Sequence, residues 1–95
     1  MSRYITLLNF TGKGSTAISD SVSRAHHFDE LATKSGVTVE GQYWTIGSHD
    51  GVLILQADKE ERILHLLAGL ASLGFVSTKT MRAFTDVEFE AVLKS

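Results

Sequence analysis

The chain has 95 residues, 43% hydrophobic and 21% charged, with no cysteine and a formal net charge of −2. That length fits one domain, read as residues 1–95, and the apolar content is too high for disorder. The lack of cysteine excludes disulfides, thiolate metal sites and thiol catalysis, and the mild acidity argues against a nucleic-acid partner.

Residues 4–10 are a β-rich run, apolar on both faces. Residues 11–16 form turns and tighten into a short helical turn by Ile18. A helix follows, capped by Asp20 or Ser21 and running to about Ser35, with Gly36 as its stop. Val22, Ala25, Phe28, Leu31 and Ala32 recur at threes and fours and predict its buried stripe. A second strand covers residues 37–46, with Val37, Val39 and Tyr43 on one face and Thr38, Glu40 and Gln42 on the other. Gly41 inside it suggests a bulge. After the turn at residues 47–51 comes a third strand, residues 52–57, apolar on both faces. Asp58 and Glu61 have capping-box spacing and open a helix that buries Ile63, Leu66, Leu67 and Leu70 before Gly74. A wetter strand runs from about Val76 to Phe84. Thr85 and Glu88 then form a second capping box ahead of a short helix with Phe89, Val92 and Leu93.

The order β-α-β-β-α-β-α predicts an α+β protein. It is the ferredoxin-like βαββαβ arrangement, a four-stranded antiparallel sheet in order 4-1-3-2 with an extra C-terminal helix. Strands one and three are then central, and they are the apolar ones. Both carry apolar residues on both faces: Ile5 and Leu7 against Leu8 and Phe10, Leu53 and Leu55 against Val52 and Ile54. Two helices cover only one face, so the other predicts an interaction surface. The economical partner is a second copy, giving a homodimer or higher homo-oligomer whose sheets face each other as a barrel. No apolar run approaches the ~20 residues that span a bilayer and no targeting segment is recognised, so a cytoplasmic protein without a membrane partner is expected.

Four segments stand in order along the chain: Tyr4-Ile5-Thr6-Leu7-Leu8-Asn9-Phe10-Thr11-x-x-Gly14, Tyr43-Trp44-Thr45-x-Gly47-x-x-Asp50-Gly51, Ser72-Leu73-Gly74 and Thr80-x-Arg82-Ala83-Phe84-Thr85. With them the chain resembles the GYD domain family, within the dimeric α+β barrel group. That family is named for a Gly, a spacer and a Tyr-Asp pair. Here Gly47-Ser48-His49-Asp50 places His where Tyr is usual. The resemblance implies a barrel-forming domain over nearly the whole chain and a homo-oligomer built on dimers. Related dimeric barrels include cofactor-free monooxygenases, isomerases, haem-binding enzymes and ligand-sensing modules, so the fold alone selects no reaction.

Among the side chains, His49 and Asp50 form a general acid–base pair if the carboxylate bonds the imidazole. Otherwise Asp50 is a turn residue bonding local backbone, beside a solvated His49. Tyr43 and Trp44 face opposite sides of a strand, and each either walls a small-molecule site or serves packing. Arg82 either holds a carboxylate ligand in fork geometry or pairs with Glu40 or Asp50. Asn9, polar on an apolar strand, needs partners in backbone or ligand. Asn9, His49, Asp50 and Arg82 converge if the strand ends align. His26 with Glu30, and Glu61 with His65, offer only two ligands each, so no metal site and no cofactor are expected. Gly12-Lys13-Gly14 lacks the spacing of a phosphate loop, and no Gly-x-Ser-x-Gly elbow is present. Two functions remain in view. One is a small oligomeric module that binds or senses a small molecule. The other is a cofactor-independent enzyme of monooxygenase or isomerase type using His49 and Asp50.

Overall fold

The computed structural model describes residues 1–95. Four strands, β1 (Ser2–Phe10), β2 (Thr38–Trp44), β3 (Gly51–Ala57) and β4 (Val76–Ala83), form one antiparallel sheet in the order β2-β3-β1-β4. Read from the other edge, this is the 4-1-3-2 order expected for a ferredoxin-like fold. The helices are α1 (Gly12–Thr16), α2 (Ser21–Lys34), α3 (Glu60–Ser72) and α4 (Asp86–Lys94), with a 3-10 turn at Ile18–Asp20.

The pleat separates two faces. Tyr4 and Thr6 of β1 and Leu53, Leu55 and Ala57 of β3 point towards α2 and α3 and are buried there. Phe28 and Ala32 of α2 and Ile63, Leu66 and Leu67 of α3 complete the core. Leu55 and Ala32 are fully buried; a leucine so placed contributes roughly 1.5–3 kcal/mol. Thr6 is buried but not unpaired, because its hydroxyl lies 2.9 Å from that of Thr80 on β4. The opposite face carries Ile5 and Leu7, Val52 and Ile54, and Met81, none of which belongs to that core.

Local chemistry explains the boundaries. Gly36 (φ 75°) and Gly74 (φ 78°) end α2 and α3 in the left-handed region that side chains avoid. The Thr85 box forms: the Thr85 hydroxyl accepts from the Glu88 N–H at 3.1 Å, and the Glu88 carboxylate accepts from the Thr85 N–H at 2.8 Å. The Asp58 box does not form. Arg62, one turn further on, donates Nε to Asp58 at 2.9 Å, and Lys59 caps α3 without a side-chain bond. A charged donor at i+4 outcompetes a backbone N–H for that carboxylate.

The β2 strand also departs from the expected alternation. A bulge between Val39 and Gly41 resets the pleat, so that Val39 and Trp44 face the helices while Tyr43 pairs with Val52 on the open face. Gly41 makes room for the Tyr43 ring, since a Cβ there would stand 3.0 Å from Tyr43 Cε2. The α2 stripe is narrower than expected: Phe28 and Ala32 are buried, while Val22 and Leu31 are exposed. Along α4, Val87, Phe89, Val92 and Leu93 are all exposed. No helix is long and apolar enough to cross a membrane.

Candidate functional site

The exposure of Leu31 has a local cause. The helices α2 and α3 part over the sheet and leave a cleft of about 680 Å³. Leu31, Leu66 and Leu70 wall it, Leu53 floors it, and Phe10, Trp44 and Phe75 add aromatic surface. A mostly apolar concavity with few polar groups is the usual form of a small-molecule site.

Its polar groups are sharply placed. Arg24 of α2 lays its guanidinium over the Phe75 ring, 4.3 Å from the centroid. Its Nη1 donates to the Ala17 carbonyl at 2.8 Å, while its Nη2 is shut from solvent and has no partner. An unsatisfied buried donor costs about 1–3 kcal/mol, and a charged one more. His27 and His65 line the same cleft from facing helices and are exposed. Asp50 also lines it, but its Oδ2 accepts from the Phe10 N–H at 2.8 Å and its own N–H donates to the Leu8 carbonyl at 2.8 Å. The carboxylate thus ties the turn at residues 47–51 to the end of β1.

His49 turns to a different partner. Its Nδ1 lies 2.9 Å from Asn9 Oδ1, and Asn9 Nδ2 donates to the Ser48 carbonyl at 3.0 Å. Asn9 belongs to the open face with Leu7 and Ile5, so both of its polar atoms are satisfied from the turn. The imidazole of His49 and the carboxylate of Asp50 are neighbours in sequence, but each is engaged elsewhere.

The sequence candidates therefore form three groups. Tyr43, Trp44 and Asp50 line the cleft, Tyr43 from a strand position that pairs with Val52, and Asn9 and His49 meet beside the open face. Arg82 stands apart. It pairs with Tyr4, five residues along β1 from Asn9, or about 17 Å of extended strand. Its Nη1 donates to the carbonyls of Arg3 (3.2 Å) and Ala83, and its guanidinium lies 4.3 Å from the Phe84 ring centroid. The strand ends do not bring Asn9, His49, Asp50 and Arg82 to one point. Nor does Arg82 pair with Glu40, because Arg3 takes that carboxylate at 2.7 and 3.1 Å. This bond to Arg3 holds the Glu40 carboxyl below its ordinary value. Burial pushes the Tyr4 hydroxyl up, with Glu60 adding to the effect. No three His, Asp or Glu side chains gather as a metal site.

The family model for the GYD domain matches residues 4–93. The chain belongs to the GYD domain family. A Thermus thermophilus protein named glutamine synthetase and cystathionine beta-lyase binding protein is 30% identical over 95 residues, covering 99% of this chain and 100% of the relative.

In this GYD domain the cleft residue that sequence reasoning passed over is Arg24. Its signal was present: Arg24, Phe28 and Ala32 recur at intervals of four, which puts a cation on the same helical line as two core residues.

Proposed function

We propose that this GYD domain, acting as one unit over residues 1–95, is a small binding module that takes a small molecule in the cleft between α2, α3 and the sheet. The cleft itself carries the reading: at about 680 Å³ it lies within the ~300–1,000 Å³ of ordinary ligand sites. Trp44 is the only tryptophan and lines it, so its emission reports occupancy. Gly69 also lines it, and a Cβ there meets nothing within 4 Å, so the backbone accepts a side chain and Gly69→Phe is the variant chosen to obstruct the cleft. Titration with decan-1-ol should change Trp44 emission saturably in the parent protein and not in Gly69→Phe. A featureless titration of the parent protein would sink the reading.

The module works as a homodimer, or a higher homo-oligomer built on it, in the cytoplasm. The support is the open sheet face, where Ile5, Leu7, Val52, Ile54 and Met81 form a contiguous apolar surface outside the core. Sedimentation at micromolar protein should give a dimer or larger, and Ile54→Lys should shift it to monomer. A folded parent monomer contradicts this part.

A second reading has its own observation. The name of the Thermus relative supports a protein partner, with glutamine synthetase and cystathionine beta-lyase as candidates. The exposed apolar residues of α4 offer a surface for one. Co-elution with purified glutamine synthetase on a sizing column tests it, and independent elution counts against it. The enzymatic alternative, with His49 as the proton acceptor and Asp50 holding the turn in place, rests on the unengaged Nε2 of His49. It is tested by the tautomer measurement in the Discussion.

A further inference from the structure

Arg24 is the one guanidinium in the wall of the cleft, and nothing in the fold neutralises it. The ion pairs of the protein are Arg3 with Glu40 and Glu88, Arg62 with Asp58, and Lys94 with Glu90. Asp50, the carboxylate on the same cleft, is committed to the Phe10 N–H. Asp29 has an unpaired Oδ1, but it lines a different depression with Thr33 and Val37.

The guanidinium is also held in place. Stacking on Phe75 fixes its plane, and the bond from Nη1 to the Ala17 carbonyl fixes its rotation. A cation anchored on two sides and without a counter-charge among the ion pairs of the fold suits an anionic head group. The surrounding surface is apolar and aromatic, so the anion it suits carries a hydrophobic body.

We infer that the cleft takes a small amphiphilic carboxylate, its apolar body against Phe10, Trp44, Leu66 and Leu70 and its carboxylate against the Arg24 guanidinium. This rests on the small-molecule reading of the cleft and adds the chemical class of the ligand. His27 and His65 line the same opening and add donors that suit an anion.

The test compares decanoate with decan-1-ol, which share one apolar body and differ in the head group, by titrating the full chain and following Trp44 emission. The parent protein should bind decanoate about tenfold or more tightly than the alcohol. Arg24→Gln should bind the two alike, and Arg24→Lys should recover part of the preference. Equal affinity of the parent protein for both probes overturns the proposal and leaves the cleft reading standing; binding of neither overturns the cleft reading itself. If Arg24→Gln does not fold, as read by circular dichroism, the Arg24 side-chain ¹H–¹⁵N signal decides: it should shift with decanoate and not with decan-1-ol, and its silence overturns the proposal.

Discussion

The imidazole Nδ1 of His49 lies 2.9 Å from Oδ1 of Asn9, and the Asn9 amide is oriented by its bond to the Ser48 carbonyl. With Asn9 Nδ2 used as donor, Oδ1 faces the ring as an acceptor. The proton of neutral His49 therefore sits on Nδ1, and Nε2 keeps its lone pair. This assignment follows from the bonding network.

The tautomer can be read directly. Two-bond ¹⁵N–¹H spectra of the imidazoles should show neutral His49 as the Nδ1–H form, against the Nε2–H form usual for solvated histidines. Asn9→Leu should abolish the preference. An Nε2–H form in the parent protein would remove both the Asn9 contact and the case for Nε2 as a proton acceptor.

Asp50 should matter for stability whatever its part in chemistry. Its carboxylate satisfies the part-buried Phe10 N–H, and its N–H holds the Leu8 carbonyl. Asp50→Ala leaves the Phe10 donor unpaired, which costs about 1–3 kcal/mol. Thermal melting should fall by about 4–8 °C per kcal/mol for a chain of this size. Asp50→Asn keeps an acceptor oxygen and should lose less. Equal melting of all three proteins would show that the bond contributes nothing.

Two glycines two residues apart make a sharper contrast. Gly14 is buried, and a Cβ there would run into the Phe75 carbonyl oxygen and lie 3.3 Å from Phe10 Cδ1. Phe75 also accepts from the Thr11 N–H at 3.0 Å, so its backbone cannot easily retreat. Gly14→Ala should destabilise strongly, through overpacking of about 1–3 kcal/mol or more. Gly12, with nothing within 4 Å, should tolerate Ala or gain up to about 1 kcal/mol of helix propensity. Denaturant midpoints of the two variants should move in different directions.

Some of this was legible in the residues and some was not. The strand order could be read because β1 and β3 are apolar on both faces, a property only central strands need. The Thr85 cap was legible because no competing cation stands at i+4. Asp58 has the same spacing but meets Arg62, and an ion pair replaces the cap. Tyr43 and Trp44 exchanged roles because one inserted residue at the bulge inverts every side chain beyond it, and sequence alternation does not say where that residue sits. Arg82 was placed with the turn at residues 47–51 only by assuming aligned strand ends; the register pairs it with Tyr4 instead. The spacing of Arg24 with Phe28 and Ala32 was legible, but the cleft beside it depends on helices parting, a tertiary event that the spacing does not show.

The acid limb of stability has a definite sign. The Glu40 carboxyl is held down chiefly by its hydrogen bond from Arg3, and that of Glu88 chiefly by the Thr85 backbone. A depressed carboxyl contributes stability that is fully present above its ordinary value of 4.5 and is lost as pH falls through its lower folded value. Melting temperature should therefore drop below about pH 4.5, and Glu40→Gln should flatten part of that slope. The effect should be small and weaken with salt, because the Arg3–Glu40 pair is near the surface. A slope untouched by Glu40→Gln would assign the acid limb to other groups.

The measurement that bears most directly on the cleft is a ¹H–¹⁵N titration of the labelled full chain with decanoate. Saturating shifts should gather at Phe10, Trp44, Leu66, Leu70 and Phe75, together with the Arg24 side chain, and leave Ile5, Leu7 and Val52 of the open face unmoved. Shifts confined to that open face or to α4, with the cleft residues silent, would contradict the account.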